Sequence, residues 1–289
     1  MSDNTGALLS LDAAGVSDVL VRPGGLWRDV RVVPETGSTN ADLLAAAGAG
    51  AAEGTVLVAE AQTAARGRLG RRWASPPRAG LTFSVLLRPD SVPAALLGWL
   101  PLLAGTAAVA AVHTVAAVDA ELKWPNDVLA GGAKLGGILA ERSGRAVVVG
   151  IGINVWQGRA DLPEGPVATS LALEAAVHGA GLARGAGAAG PRERLLAELL
   201  AGLSRWYLAW RDQASPGDAD ACGLRQEYTR RCATLGRQVT VTMPGGEPVT
   251  GTATGVDQAG RLQLRTAAGV IPVTAGDVVH VRPANEQGT

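Results

Sequence analysis

The sequence predicts an α+β protein, a mixed β-sheet with helices packed on it, followed by a small C-terminal β-barrel. Three observations carry this. Apolar runs at Gly54 to Glu60, Leu81 to Leu87 and Val147 to Val155 read as core strands by length and composition. Two helical segments accompany them, an uncharged one from Ala94 to Val118 and an amphipathic one opening at Pro191. From Leu235 to Arg282 the pattern changes to short alternating strands separated by turns, a barrel of about 50 residues.

A chain of 289 residues has room for one large domain and a small one. The expected division is an N-terminal tail over 1–27, either loose or a short docking segment, a main domain over 28–232, the barrel over 233–284 and a tail over 285–289. Net charge is zero, which gives no general pull toward DNA or an anionic membrane. The only cysteines are Cys222 and Cys232, too few for a disulfide framework or a four-cysteine zinc site, and this suits a reducing cytoplasm. Three scattered histidines make a histidine-based metal site improbable. No charged N-region with an apolar core and a cleavage site is seen at the start of the chain, so a signal peptide is not expected. The uncharged stretch Ser91 to Val118 is long enough to span a bilayer. Its prolines, histidine and many alanines, with no flanking basic cluster, favour a helix buried against the sheet.

In chain order, Val30 to Val33 alternates as a strand, and Glu35 to Asn40 supplies small hydrogen-bonding groups. Thr39 or Asn40 is expected to cap a helix through Leu43, Leu44 and Ala47, the structural alternative to ligand contact. Lys123-Trp124-Pro125-Asn126-Asp127 follows the long helix, with Asn126-Asp127 as a polar turn and Gly131-Gly132 as a hairpin tip. Lys134 heads a strand through Glu141, in which Gly136 and Gly137 suggest a ligand lying close to the backbone. Gly150 and Gly152 leave room on one face of the next strand, which Asn154 closes. Thr169 to Leu173 starts a short helix, and the Gly/Ala-rich stretch 179–190 reads as a flexible insertion. Leu195, Leu196, Leu199, Leu200, Leu203, Trp206 and Tyr207 then mark one apolar helix face.

The basic residues are nearly all arginine, and lysine occurs only at Lys123 and Lys134. In such a chain two lysines in one short segment point to a need for a compact ammonium there. Arginines concentrate between Gln62 and Trp73, where Arg66, Arg68, Arg71 and Arg72 are spaced by Gly67 and Gly70. Glycine lets the backbone turn and approach a ligand, and guanidinium forks match carboxylate and phosphate oxygens. The alternatives are a solvated basic turn or a nucleic-acid patch. No Ser-His-Asp or Cys-His pairing and no Walker pattern occurs, so covalent catalysis and a P-loop are both disfavoured. A site for a carboxylate and a nucleotide remains.

Ser38-Thr39-Asn40, the Arg-Gly-Arg-Leu-Gly-Arg loop, Lys-Trp-Pro-Asn-Asp, Lys134-Leu-Gly-Gly-Ile-Leu and Gly-Ile-Gly-Ile-Asn together resemble the biotin–protein ligases, in order and spacing. The likeness runs from about Glu35 to Leu173, and the barrel is similar to that family's SH3-like C-terminal domain. Ala65 departs from the family, which has glycine there, and no DNA-binding segment precedes the match, so the chain resembles the single-function type. The resemblance implies a cytoplasmic ligase that forms biotinyl-5′-adenylate from biotin and ATP with Mg²⁺. It then passes biotin to a lysine of the biotin carboxyl carrier domain of acyl-CoA carboxylases. Neither nucleic acid nor membrane is an expected partner.

By the same resemblance, Ser38, Thr39, Asn40, Gln62, Arg66, Gly67, Arg68, Lys134, Gly136 and Gly137 face biotin. Arg68, Arg71, Trp73, Asn126, Lys134 and Asn154 face the nucleotide, with Lys134 and Arg68 as the catalytic cations. Asp127 has three open roles: orienting Lys123 as an ion pair, holding Mg²⁺, or helping to deprotonate the incoming amine. No dedicated protein metal site is expected. The loop Ala64 to Trp73 is expected to be disordered without ligand and to close over the adenylate. A lipoate–protein ligase or octanoyltransferase of the same superfamily is the alternative.

Overall fold

The computed structural model describes residues 8–163, 167–177, 179, 182, 190–243, 245–274 and 276–280. The Gly/Ala insertion falls largely outside these, as do His178 and the tail 285–289. A seven-stranded mixed sheet forms the centre. Its strands are β1 (Asp29–Val33), β2 (Thr55–Ala59), β3 (Gly80–Leu87), β4 (Ala120–Lys123), β5 (Asp127–Ala130), β6 (Ala133–Ser143) and β7 (Ala146–Asn154). They lie in the order β1-β2-β3-β7-β6-β5-β4. Only β1 and β2 pair in parallel; each other neighbouring pair is antiparallel. Every residue of β2 and β3 is buried, as expected of strands covered on both faces.

One face carries α3 (Trp99–Ala116) and α5 (Pro191–Arg211) over the main core. The uncharged stretch is thus a core helix: Trp99, Leu100, Leu102, Leu103, Val109 and Val112 are all buried inside the fold. The other face carries α2 (Thr39–Gly48), whose Leu43 packs on Leu57, Leu86 and Val148. Ser38 caps this helix, its side chain accepting from the Ala41 amide, so the cap lies before both expected positions, Thr39 and Asn40. Those two sit inside the first turn, buried and engaged elsewhere. Two short helices complete the domain, α4 (Leu171–Val177) and α6 (Leu224–Arg231), the latter without a periodic apolar signal.

From residue 8 onward the segment before β1 follows the docking alternative and not the loose tail. Helix α1 (Ala13–Leu20) docks against α5 and β1, and Leu11, Val16, Leu26 and Trp27 join the core. Its apolar residues are too few and irregular to declare a helix alone; tertiary burial provides the missing stabilisation. An ion pair fixes its start. Arg192 and Glu60, at 4% and 6% exposure, meet at 2.6 Å, while Arg192 also donates to the Leu9 carbonyl and Glu60 accepts from the Leu11 amide.

Beyond α6, five antiparallel strands form the C-terminal β-domain in the order β11-β10-β9-β8-β12. They are β8 (Gln238–Thr242), β9 (Val249–Val256), β10 (Leu262–Thr266), β11 (Gly269–Val273) and β12 (Asp277–His280). Alternate residues, among them Val239, Val241, Ala253, Leu262, Leu264 and Val278, turn inward. Two buried tryptophans clamp this domain to the main one. Trp99 donates to the Gln258 carbonyl at 2.8 Å and Trp124 to the Gly260 carbonyl at 3.1 Å. Trp124 is therefore a core residue that also borders the cavity described next. The clamp brings the other end of the domain, Gly276 and Asp277, over that cavity.

Candidate active site

A cavity of about 300 Å³ opens where the sheet, the arginine loop and the C-terminal domain meet. Ser38, Thr39, Asn40, Gln62, Arg66, Gly67, Arg68, Arg71, Trp73, Asn126, Asp127, Lys134 and Gly137 all line it. These are most of the residues singled out in the sequence. Gly136 and Asn154 are not among the lining. Gly136 is packed under β7, where a side chain would strike the Gly152 carbonyl and Ile153. Asn154 is buried at the end of β7, donating to the Thr169 carbonyl at 2.9 Å and accepting from Gln157 at 3.2 Å. Its amide anchors the segment leading to α4.

Lys134 reaches the cavity through a register defect. Along the β5–β6 hairpin Val128 faces Gly136 and Leu129 faces Lys134, so Leu135 is an extra residue in β6. Such a bulge re-aims neighbouring side chains. Lys134 and Gly137, three apart, would otherwise point to opposite faces; the bulge turns both toward the cavity while Leu135 enters the core. Lys134 Nζ then contacts Asp127 Oδ1 at 2.5 Å. The expected pairing of Asp127 with Lys123 is corrected accordingly: the acid's contact is with Lys134. Lys123 also borders the cavity, and burial lowers its pKa, with Asp127 opposing and Lys134 reinforcing that shift.

The arginine loop takes a defined conformation. Gly67 N–H donates to the Arg71 carbonyl at 2.6 Å, and Leu69 takes a left-handed φ of 56° in the turn between them. Arg68 donates to Asn126 Oδ1 at 3.2 Å and toward the Gly276 carbonyl at 3.5 Å, and Arg71 pairs with Asp277. Burial lowers the Arg68 pKa, with Asp277 and Asp127 supporting its charge. These contacts with the C-terminal domain are what the sequence could not supply, because they join residues some two hundred positions apart.

Glycines in the strands do make room, but side chains of the protein occupy part of it. A Cβ on Gly150 would fall 2.2 Å from Asn40 Oδ1, and one on Gly152 would fall 2.8 Å from the Trp73 ring. Lys134 Nζ lies 5.9 Å from the centre of that ring, and the indole N–H is buried with no partner among the described residues. Two polar residues behind the wall escaped sequence reading. Ser84, fully buried in β3, contacts Thr39 Oγ1 at 2.7 Å and Asn40 Oδ1 at 2.6 Å, and Glu141 accepts from Asn40 Nδ2 at 2.7 Å. The available signal was weak: a hydroxyl in a strand that also holds Thr82, and a carboxylate beside Arg142 and Ser143.

The site thus joins neutral donors and acceptors to a group of cations, an arrangement suited to a polar small molecule bearing an acid and to phosphate oxygens. Residues 35–157 match the Biotin/lipoate A/B protein ligase family, and residues 234–281 match the Biotin protein ligase C terminal domain. The chain is 43% identical over 286 residues to the biotin–[acetyl-CoA-carboxylase] ligase of Mycobacterium tuberculosis, spanning 98% of this chain and 100% of that protein. This chain belongs to the biotin protein ligase family. It is also 33% identical over 255 residues to the corresponding ligase of Paracoccus denitrificans, covering 86% of this chain and 98% of that one. Among solved structures, the biotin protein ligase of Aquifex aeolicus in complex with biotin and ATP matches with a TM-score of 0.72. The identity is 28%, over 89% of this chain and 100% of that chain. With biotin ligases on each side of these comparisons, the lipoate alternative has less support.

Proposed function

We propose that this protein is an ATP-dependent biotin–protein ligase acting in the cytoplasm on the biotin carboxyl carrier domain of an acyl-CoA carboxylase. One observation carries the reading: a single cavity is walled by Thr39 and Gln62 and also by Arg68, Arg71, Lys123 and Lys134. Biotin has a ureido ring that needs paired donors and acceptors, and a carboxylate that needs cations. In the first step a biotin carboxylate oxygen attacks the α-phosphorus of ATP, and pyrophosphate leaves. In the second, a carrier lysine amine attacks the acyl carbon, loses a proton, and AMP leaves.

Thr39 and Gln62 would hold the ureido group, with Ser38 and the backbone at Arg66 and Gly67 beside them. Lys134, next to Gly137, has the reach to touch both the biotin carboxylate and the α-phosphate, bringing two anions together that repel in solution. Arg68 would stabilise the charge that grows on the phosphate oxygens, and its burial strengthens that effect. Arg71, Trp73 and Asn126 would contact the nucleotide. Asp127 releases Lys134 when the substrate acid arrives and is then free to accept a proton from the carrier amine.

Among the described residues no group of three or more metal-ligating side chains occurs. The two carboxylates on the cavity wall, Asp127 and Asp277, are both ion-paired. This fits Mg²⁺ carried in by the triphosphate rather than a protein cage, and there it supplies charge neutralisation.

The test is incubation with biotin, ATP, Mg²⁺ and an isolated carrier domain, followed by mass measurement of the carrier. Addition of one biotinyl group supports the reading. An unmodified carrier together with lipoate-dependent pyrophosphate exchange overturns it.

A further inference from the structure

The polar wall of the cavity is the visible end of a hydrogen-bond chain that starts outside it. We propose that Glu141, on β6, is a positioning residue that sets which groups of the vitamin pocket donate and which accept. The inference rests on the biotin reading above.

The chain has a direction, and two groups that only accept, the Glu141 carboxylate and the Leu139 carbonyl, fix it at one end. A carboxylate only accepts. Asn40 must therefore turn its Nδ2 toward Glu141 Oε2, at 2.7 Å, with the Leu139 carbonyl taking the second proton at 3.2 Å. That orients Asn40 Oδ1 over Gly150 and toward Ser84, whose hydroxyl donates to it at 2.6 Å. Ser84 has one proton and has now used it. Its oxygen can only accept from Thr39 Oγ1 at 2.7 Å. The Thr39 hydroxyl proton is thereby spent inside the protein, with Gln62 Oε1 at 3.2 Å a weaker second acceptor of it. The Thr39 backbone amide donates to the same Gln62 oxygen at 2.8 Å.

Two consequences reach the cavity. Thr39 Oγ1 offers a ligand lone pairs and no proton. Gln62, with its oxygen held by Thr39, presents its Nε2 as a donor. One acceptor beside one donor complements an N–H next to a carbonyl, the edge of a ureido group. Asn40 lines the cavity but acts as the relay, not as the ligand's partner, because both its amide atoms are engaged.

Reversing the charge at the origin opposes this direction. In Glu141→Lys an ammonium that only donates faces Asn40 and draws its Oδ1, against the hold of the Leu139 carbonyl on Nδ2. With the amide flipped, Ser84 donates to Thr39, takes up one of the lone pairs of its oxygen and leaves the Thr39 proton to Gln62 Oε1 or to the ligand's side. Glu141→Gln keeps an acceptor oxygen and preserves the original direction. The measurement is biotin-dependent pyrophosphate exchange, with KM for biotin and for ATP determined separately, alongside the melting temperature of each variant. For Glu141→Lys the expected result is a rise in biotin KM of roughly tenfold or more, from one mismatched buried hydrogen bond, while ATP KM stays within about twofold. Glu141→Gln recovers most of the biotin affinity.

An unchanged biotin KM in Glu141→Lys overturns the assignment. So does an equal rise in both KM values in both variants, since a general loss of structure would explain it. Wild-type protein that releases no pyrophosphate with biotin and ATP would instead remove the ligase reading itself.

Discussion

Asp127 Oδ1 and Lys134 Nζ meet 2.5 Å apart because Leu135 is an extra residue in β6. The acid holds the cation in the cavity before any substrate arrives. A biotin carboxylate must then displace one acid with another, which changes little in net charge and leaves Lys134 already aimed. Lys134→Ala removes a preorganised charge from the transition state, and such losses lower turnover by roughly 10² or more. Pyrophosphate exchange at saturating biotin and ATP checks this. A near-normal rate in Lys134→Ala would take Lys134 out of the chemistry.

The pairing of Arg71 with Asp277 fastens the arginine loop to the C-terminal domain. The Arg71 side chain is 67% exposed, so the bridge contributes at most about 1 kcal/mol to stability. Its effect is local. Asp277→Ala is expected to leave the melting temperature nearly unchanged and to speed hydrogen exchange at Arg66 to Arg72 in the ligand-free protein. Adding biotin and ATP should erase that difference, because phosphate oxygens then take over Arg71. Identical exchange in the two free proteins would mean that the loop holds itself.

The sequence revealed the sheet, the long core helix and most of the lining, because strands buried on two faces and arginines between glycines leave local marks. It could not reveal Asp277, which is an ordinary turn residue until the tryptophan clamp brings β12 to the cavity. Nor could it distinguish Asn154, which braces a loop, from Asn126, which meets Arg68; both are asparagines at strand ends. The bulge at Leu135 was hidden for a similar reason, since Lys134-Leu135-Gly136-Gly137 reads equally well as a regular strand. Helix α1 carried too little periodicity, and its stability comes from a surface that other parts of the chain build.

That surface depends on Glu60 and Arg192. Their side chains are almost wholly buried, and their contacts join the N-terminal segment, the end of β2 and the start of α5. Removing one partner of such a pair leaves the other charge buried alone, which costs about 3–5 kcal/mol. Arg192→Leu is therefore expected to lower the urea midpoint sharply, and Glu60→Met/Arg192→Leu together to lower it less than the single change. If the double variant is the less stable, the pair itself, not the stranded carboxylate, holds this corner.

His280 makes the junction between domains sensitive to acid. Thr234 Oγ1 accepts from the Trp124 amide at 3.0 Å and contacts His280 Nε2 at 3.3 Å. Burial, together with the nearby Lys123 and Arg237, lowers the His280 pKa from 6.5 to about 4. When the protein unfolds between those two pH values, the ring takes up a proton that the folded state refuses. Stability from this contact is thus full above pH 6.5 and lost as the pH falls toward 4. The ring is only half-buried, and solvent screening holds the contribution to about 1 kcal/mol. His280→Gln cannot titrate, so its unfolding free energy should fall less steeply over that window than that of the wild type. The carboxylates titrate alike in both proteins, and the difference between the two urea titrations isolates the imidazole. Parallel curves from pH 6.5 to 4 would mean that the imidazole takes up its proton alike in the folded and unfolded protein.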